Sequence, residues 1–526
     1  MQRPRVILTV LSILSCLAST GSAQLSPQDS YILSQGNGLP GLPEDFESTG
    51  KVVVRGDFNG DLWDDLAIGV PNESVGSQED AGAVIVAYGG PQGLGVAHSQ
   101  LFTQNSPGIP GVAESDDEFG STLVVGDFNL DLIDDLAVGA PREDIGNIID
   151  AGAAAIIFGG PDGLDGSTSI EVLDPFPNLS EQFGHALAAH QFGLQEPFLL
   201  FVGAPGEQVG SIAPGGVLIF QVDYQAPEPV AFHLETIHQD TQLTPTAPAI
   251  PGVNEHGDRF GHALAIDRLQ CGQGPPWVDL AIGGPGEDIG SGSSGEDAGA
   301  VWVIQIKVEN FSVETATSLL FLQGDGEISG TSENGDQFGY SLASGDIGGF
   351  QQEQLIIGVP FEDVFGTTNQ GSIHTLGLTG CDLGEKLVMD GSVLGGPNVA
   401  FSQFGFSVHA ADLNGDRKEE LIIGAPNELH ATGQGTLSVF YLDPDGFPEF
   451  QERLAPTGAQ RFGNTIASGR FFTRDGPLAL AVGDPLLLSP DQEGPRTGGV
   501  MLIPNQEIFS DGFESFNTLR WTLTVP

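Results

Sequence analysis

Apolar positions along this chain come in short runs of five to eight residues, separated by glycine, proline and acidic turns, and no helical periodicity links them. One phrase recurs: an apolar strand, an acidic loop, a second strand, then Gly-x-Pro. The first copy reads GDFNGDLWDDLAIGVP and the second GDFNLDLIDDLAVGAP. Later copies end in LLFVGAP, DLAIGGP, QLIIGVP, ELIIGAP and LALAVGDP, with prolines at Pro71, Pro141, Pro205, Pro285, Pro360, Pro426 and Pro485. The seven copies are spaced 59 to 80 residues apart. After each Gly-x-Pro come a turn and two further β-rich runs, such as GAAAIIFGG and SIEVLD in the second copy. About four short strands per repeat, bounded by turn residues, predict an all-β, seven-bladed β-propeller with four antiparallel strands per blade.

A Phe-Gly pair precedes six of the copies, at Phe119-Gly120, Phe183-Gly184, Phe260-Gly261, Phe338-Gly339, Phe404-Gly405 and Phe462-Gly463; the first copy has Thr49-Gly50 there. The segment from Tyr31 to Gly50 parallels that from Leu101 to Gly120, where an outer strand and its link to the next blade belong. The C-terminal run Gly498 to Pro504 leaves the last blade one strand short. The N-terminal strand is therefore expected to pair into blade seven and close the ring, removing an exposed edge. An open solenoid is the structural alternative, and it would need polar caps.

Composition narrows the function classes. Seventy acidic residues stand against 17 basic ones, a net charge of -53, with 76 glycines and 35 prolines to supply turns. Such a chain offers no basic surface for nucleic acid. The acidity suits cation binding and a high-salt habitat alike. Residues 1–23 read as an export signal: Arg3 and Arg5, an apolar stretch from Val6 to Leu17, and small residues Gly21-Ser22-Ala23 for cleavage. Lipoprotein anchoring at Cys16 is the alternative, and no later stretch is long and apolar enough to cross a bilayer. Export would permit Cys271 and Cys381 to pair. The domain reading is thus a signal peptide at 1–23, a propeller at 24–506 and a tail at 507–526.

The loops before Gly-x-Pro carry the candidate chemistry. Asp57, Asn59, Asp61 and Asp65 stand at positions one, three, five and nine of the first loop, and Asp127, Asn129, Asp131 and Asp135 match them in the second. The sixth repeat matches with Asp412, Asn414, Asp416 and Glu420. Position seven can add a backbone carbonyl, from Trp63, Ile133 or Lys418. An all-oxygen set without cysteine or histidine points to calcium, with magnesium as the nearer rival. Solvated Asp-rich turns are the plain alternative. Repeats three, four, five and seven lack the pattern and are expected to fold without metal.

The Phe-Gly start, the D-x-N-x-D-x-x-x-D loop and the Gly-Ala-Pro end together resemble the FG-GAP repeats of the integrin α-subunit propeller and its bacterial relatives, over roughly residues 24 to 506. That resemblance implies seven blades, calcium in hairpin loops on one face, and a ligand or partner subunit on the other. The chain departs from the pattern at Glu420, which replaces aspartate, and at Leu130, which replaces the glycine of loops one and six.

Arg55-Gly56-Asp57 spells an adhesion tripeptide, but Asp57 is the first ligand of its loop. His185 and His262 both follow Phe-Gly, which suggests a repeated framework position. The tail, Ile508 to Thr522, resembles the DGFES-type ends of exported proteobacterial proteins and reads as a sorting signal or an extra edge strand. The functional expectation is a secreted or envelope-bound, non-catalytic module for a protein or glycan partner. A propeller enzyme acting on polysaccharide and a purely structural envelope protein are the alternatives. No Gly-x-Ser-x-Gly elbow, zinc histidine cluster or Cys-His pair speaks for the enzyme.

Overall fold

The computed structural model describes residues 24–25 and 30–506, apart from 92, 193–197, 225–228, 243–248, 270–276, 290–295, 310–311, 327, 348, 350–351, 380–381, 394–397, 432, 444–445, 473, 475 and 488–495. The proposed signal, Cys16, Cys271, Cys381 and the tail therefore lie outside the described residues.

Seven small antiparallel sheets make up the fold, and none of the described residues forms an α-helix. In blade 1 the strands run Val52–Gly56, Asp65–Val70, Ala83–Tyr88 and Gly95–Phe102, from the inside outwards. The innermost strands of successive blades touch, and that of blade 7, Thr465–Gly469, touches that of blade 1, so the sheets form a closed ring. No described helix is long and apolar enough to cross a membrane.

The predicted closure is present. Tyr31–Gln35 pairs antiparallel with Gly499–Ile503, in the register Ile32 with Met501, and becomes the outer strand of blade 7. This sheet differs from the four-stranded expectation only by a fifth short strand, Gly38–Leu39, paired parallel to Tyr31–Gln35. Gln24–Leu25 and Asn505–Gln506 pair separately.

Burial follows the position of each strand. The second strand of a blade is covered on both faces by its neighbours, so Asp65–Val70 and Asp135–Ala140 are buried at every position and read as continuous apolar runs. The outer strand Asp165–Val172 alternates, because one face meets water. The core consists of seven apolar layers, each shared by two adjacent blades. One joins Ile68 and Ile85 of blade 1 to Val500 and Leu502 of blade 7.

What brings blades this close is backbone packing between glycines. At the junction of blades 2 and 3, a Cβ on Gly139 would overlap the Gly184 carbonyl, one on Gly152 the Phe183 carbonyl, and one on Gly184 the Ala153 carbonyl. Gly152 and Gly184 also have φ of +86° and +91°, which other residues rarely adopt. Phe183 N–H donates to the Ala151 carbonyl across the junction, and its buried ring packs edge-on against Phe220. The same glycine trio recurs at every junction. At the closing one it is Gly483, Gly498 and Gly50, which explains why the first repeat keeps Gly50 although Thr49 replaces the phenylalanine.

Each junction also carries buried polar groups. At four of them a glutamine donates Nε2 to the glutamate that follows the Gly-x-Pro turn: Gln35 to Glu73, Gln104 to Glu143, Gln239 to Glu287, and Gln323 to Glu362. A second acid two residues before the Phe-Gly position joins each pair: Glu47, Asp117, Asp258 and Asp336, all buried. Burial pushes Asp117 up to about 6, Asp258 and Asp336 to about 7, and Glu47, Glu287 and Glu362 to about 8. In an unfolded chain these groups ionise near pH 4. Their contribution to stability is therefore complete below that pH and is lost as pH rises through about 6 to 8. In chelator, the melting temperature is expected to fall steadily between about pH 5 and pH 8.5. A flat or rising profile would contradict this account.

Candidate metal loops and the opposite face

Loops one, two and six share one local structure. In the first, Asp57 Oδ1 accepts Asp61 N–H at 3.0 Å and Oδ2 accepts Leu62 N–H at 2.9 Å. Asn59 Oδ1 also accepts Asp61 N–H, and Asp61 Oδ1 accepts Trp63 N–H, both at 2.9 Å. Asp127, Asn129 and Asp131 repeat these bonds to Asp131, Leu132 and Ile133. Asp412, Asn414 and Asp416 repeat them to Asp416, Arg417 and Lys418. The bonds hold positions one, three and five on one tight turn, an all-oxygen arrangement whose donor chemistry suits a hard cation.

Position nine has a different first task. Asp65 is wholly buried at the hairpin base, where Oδ2 accepts Phe58 N–H at 2.8 Å and Oδ1 accepts Gly89 N–H at 2.7 Å. Asp135 does the same for Phe128 and Gly159. Glu420 accepts from Leu413 N–H and Asn414 Nδ2, each at 2.7 Å. Repeat four shows that the cap stands without the loop pattern. Its Asp279, equivalent to Asp65, is buried and accepts Leu269 N–H at 2.7 Å. Burial pushes Asp65, Asp135 and Glu420 up to about 8.

Two contributions were not visible in the repeat pattern. Position eight ties each loop to the preceding blade: Asp64 accepts Arg470 N–H at 2.5 Å, Asp134 accepts Asp57 N–H at 2.9 Å, and Glu419 accepts Asp346 N–H at 3.0 Å. The sequence does mark this position, since an acid precedes position nine in all three loops, but its partner lies in another repeat. The second is a carboxylate trio outside the loops. Among the described residues, the one set of three that brings an oxygen of each within 4.8 Å of the others is Asp174, Glu181 and Glu207. Its signal was Asp174 standing where four other junctions have glutamine.

The adhesion tripeptide is tied up in the first loop. Arg55 pairs with Asp64 at 3.2 Å, and both Asp57 oxygens accept backbone N–H groups.

The Phe-Gly end of the inner strands forms the opposite face, and the residue after each Phe-Gly glycine circles the mouth of the central channel. His185 and His262 are such residues; their rings lie 4.7 Å apart, with Nε2 of the first 3.1 Å from Nδ1 of the second. Tyr340 and Phe406 extend the series with ring separations of 5.1 Å each, and Arg461 lies over Phe406 at 5.5 Å. Burial lowers both histidines, His185 to about 4, and the positive charges of Lys51 and Arg259 add to this, so the pair is neutral at pH 7. Beside them a cleft of about 520 Å³ opens between blades 3 and 4, lined by His185, His262, Gln182, Gln208, His256 and Arg259 among others.

Position four separates the three loops. Leu130 holds φ +59° where Gly60 and Gly415 hold +70° and +75°. A left-handed conformation costs a leucine about 1 kcal/mol or more. Leu130→Gly is therefore expected to stabilise the protein by about 1 kcal/mol, read as a higher denaturant midpoint; a destabilised variant would count against this strain.

The FG-GAP repeat profile matches residues 49–86, 119–157 and 404–440, the three blades that carry the loop pattern. The chain is 26% identical to phosphatidylinositol-glycan-specific phospholipase D of Bos taurus over 413 residues, 76% of this chain and 45% of that protein. It is 27% identical to the Homo sapiens protein of the same name over 431 residues, covering 78% and 46%. Integrin alpha-8 of Mus musculus is 26% identical over 226 residues, 41% of this chain and 19% of the integrin. The chain spans just under half the length of the phospholipases it matches.

Proposed function

For a chain that is an FG-GAP repeat protein with a seven-bladed propeller, we propose an exported, non-catalytic binding module. In this reading calcium in three hairpin loops stiffens one face, and the Phe-Gly face engages an extracellular or envelope protein or glycan. The observation that carries the reading is the gathering of positive charge at the channel mouth of an otherwise acidic protein. Arg461 lies 5.5 Å over the Phe406 ring, and Arg259 lines the cleft together with His185 and His262. With 17 basic residues against 70 acidic ones, such a mouth offers local attraction to carboxylates, sulfates or sugar hydroxyls within a repelling field. Aromatic rings beside it supply flat surfaces for packing.

In the loops, Asp57, Asn59, Asp61, Asp127, Asn129, Asp131, Asp412, Asn414 and Asp416 are the proposed calcium ligands. The carbonyls of Trp63, Ile133 and Lys418 complete each set. Asp65, Asp135 and Glu420 serve first as hairpin caps and second as ligands. Calcium would neutralise clustered carboxylates, and the position-eight ties would pass the stiffening of loops one, two and six to blades 7, 1 and 5.

Chelation at low salt is expected to lower the melting temperature, and Asp61→Ala or Asp416→Ala to shrink that response. Saturation at 100 times the dissociation constant corresponds to about 2.7 kcal/mol per site. An unchanged melt in chelator would remove calcium from the account and leave salt adaptation as the reason for the acidity. The binding reading is tested by capture from envelope and extracellular extracts with the mature chain. Arg259→Glu should lose the specific partner at least tenfold, while Arg142→Glu should retain it. Turnover of polysaccharide or glycan-anchored substrates by the purified chain would replace this reading with the enzymatic one.

A further inference from the structure

At the junction of blades 2 and 3 the buried polar arrangement of four other junctions is changed by one residue. Asp174 occupies the place of Gln35, Gln104, Gln239 and Gln323, so the glutamate after the turn, Glu207, lacks the glutamine donor of those junctions; Asn178 lies beside it, yet Glu207 Oε2 is left without a partner. The acid two residues before Phe-Gly is Glu181. Three carboxyl groups thus meet with an oxygen of each within 4.8 Å of the others. Asp174 and Glu207 are 7% exposed and Glu181 is 0% exposed. Asp174 Oδ1 accepts Phe176 N–H at 2.9 Å and Glu181 Oε2 accepts Asn178 N–H at 2.6 Å. The remaining oxygens, Asp174 Oδ2, Glu181 Oε1 and Glu207 Oε2, are buried without any hydrogen-bond partner. Glu181 in particular has no exposed surface and aims an unpartnered oxygen into the group.

Three like charges cannot be buried together without a counter-charge. Among the described residues the basic group near Asp174 is His238, whose Nδ1 lies 3.2 Å from the Gly215 carbonyl and whose pKa is lowered by burial, so it does not supply that charge at neutral pH. Burial and mutual repulsion raise both Glu181 and Glu207. Either protons or a cation must neutralise the trio. All-carboxylate oxygens converging in a water-poor pocket favour a hard divalent ion over zinc or copper.

We propose that Asp174, Glu181 and Glu207 form a buried divalent-cation site of the calcium and manganese class, which clamps blade 2 to blade 3 and is separate from the hairpin loops. Glu181 stands on the link between the blades, Asp174 follows the outer strand of blade 2, and Glu207 lies in the turn of blade 3, so one ion would bridge all three. The site does not depend on whether the hairpin loops bind calcium.

The test uses the mature chain with Asp61→Ala, Asp131→Ala and Asp416→Ala combined, which disables the loops, and compares it with the same chain carrying Asp174→Gln. Asp174→Gln introduces the side chain that four other junctions already fold around. Manganese titration followed by electron paramagnetic resonance should show one bound equivalent in the loop-disabled chain. Affinity should fall at least tenfold with Asp174→Gln. Calcium should raise the melting temperature of the first chain and not of the second, while in chelator at pH 8 the second should melt higher. A loop-disabled chain that binds no manganese, or binding that survives Asp174→Gln, overturns the site. A wild-type chain silent toward calcium at the loops, with the loop-disabled chain still binding one ion, supports this site and removes the loop proposal.

Discussion

Backbone-to-backbone approach of three glycines at each blade junction is the constraint on which the rest of this structure depends. Gly139, Gly152 and Gly184 each lie where a Cβ would overlap a carbonyl of the neighbouring segment, and the ring repeats that contact at every junction, ending with Gly483, Gly498 and Gly50. The close approach brings the Phe183 amide into bonding distance of Ala151 and presses the phenylalanine ring into the layer between blades. Every apolar cluster among the described residues lies between two blades, so the glycines decide how closely that core can pack. Thr49 can stand for phenylalanine at the closing junction because Gly50, not the ring, makes the contact that cannot be substituted.

Tight junctions have an electrostatic consequence. They enclose acids from two blades in spaces too small for bulk water, and the chain answers at four of them with a glutamine that donates to a glutamate. Such groups are tolerated when hydrogen-bonded and costly when not. The junction of blades 2 and 3 keeps the acids and replaces the amide donor by a third acid. A chain of net charge -53 thus gathers carboxyl groups inside the fold as well as on its loops.

The two faces divide the remaining chemistry. Loops join the inner strand to the second strand at one end, while the Phe-Gly glycines and the residues after them lie at the other. The loop side chains at positions one, three and five are held by their own turns, whereas positions eight and nine hold blade to blade and hairpin to base. Within one motif, some carboxylates brace their own turn and others tie that turn to the rest of the fold.

The sequence by itself determined the seven repeats, the strand order within each and the pairing of Tyr31–Gln35 into the last blade. These follow from local periodicity, turn residues and the matching of two segments, all read along the chain. It also marked the loops, because alternate acids on a short turn are a local pattern. It did not reveal that Asp65 caps a hairpin, that Asp64 bonds Arg470, or that Asp174 meets Glu181 and Glu207. Nor did it reveal that Arg259 lines a cleft with His185 and His262 while Arg461 lies over Phe406 in the same series of rings. Those arrangements join residues from different blades or from opposite ends of a blade. Only closure of the ring decides which distant groups share a buried space, and burial is what turns a carboxylate such as Asp65 from a solvated charge into a cap.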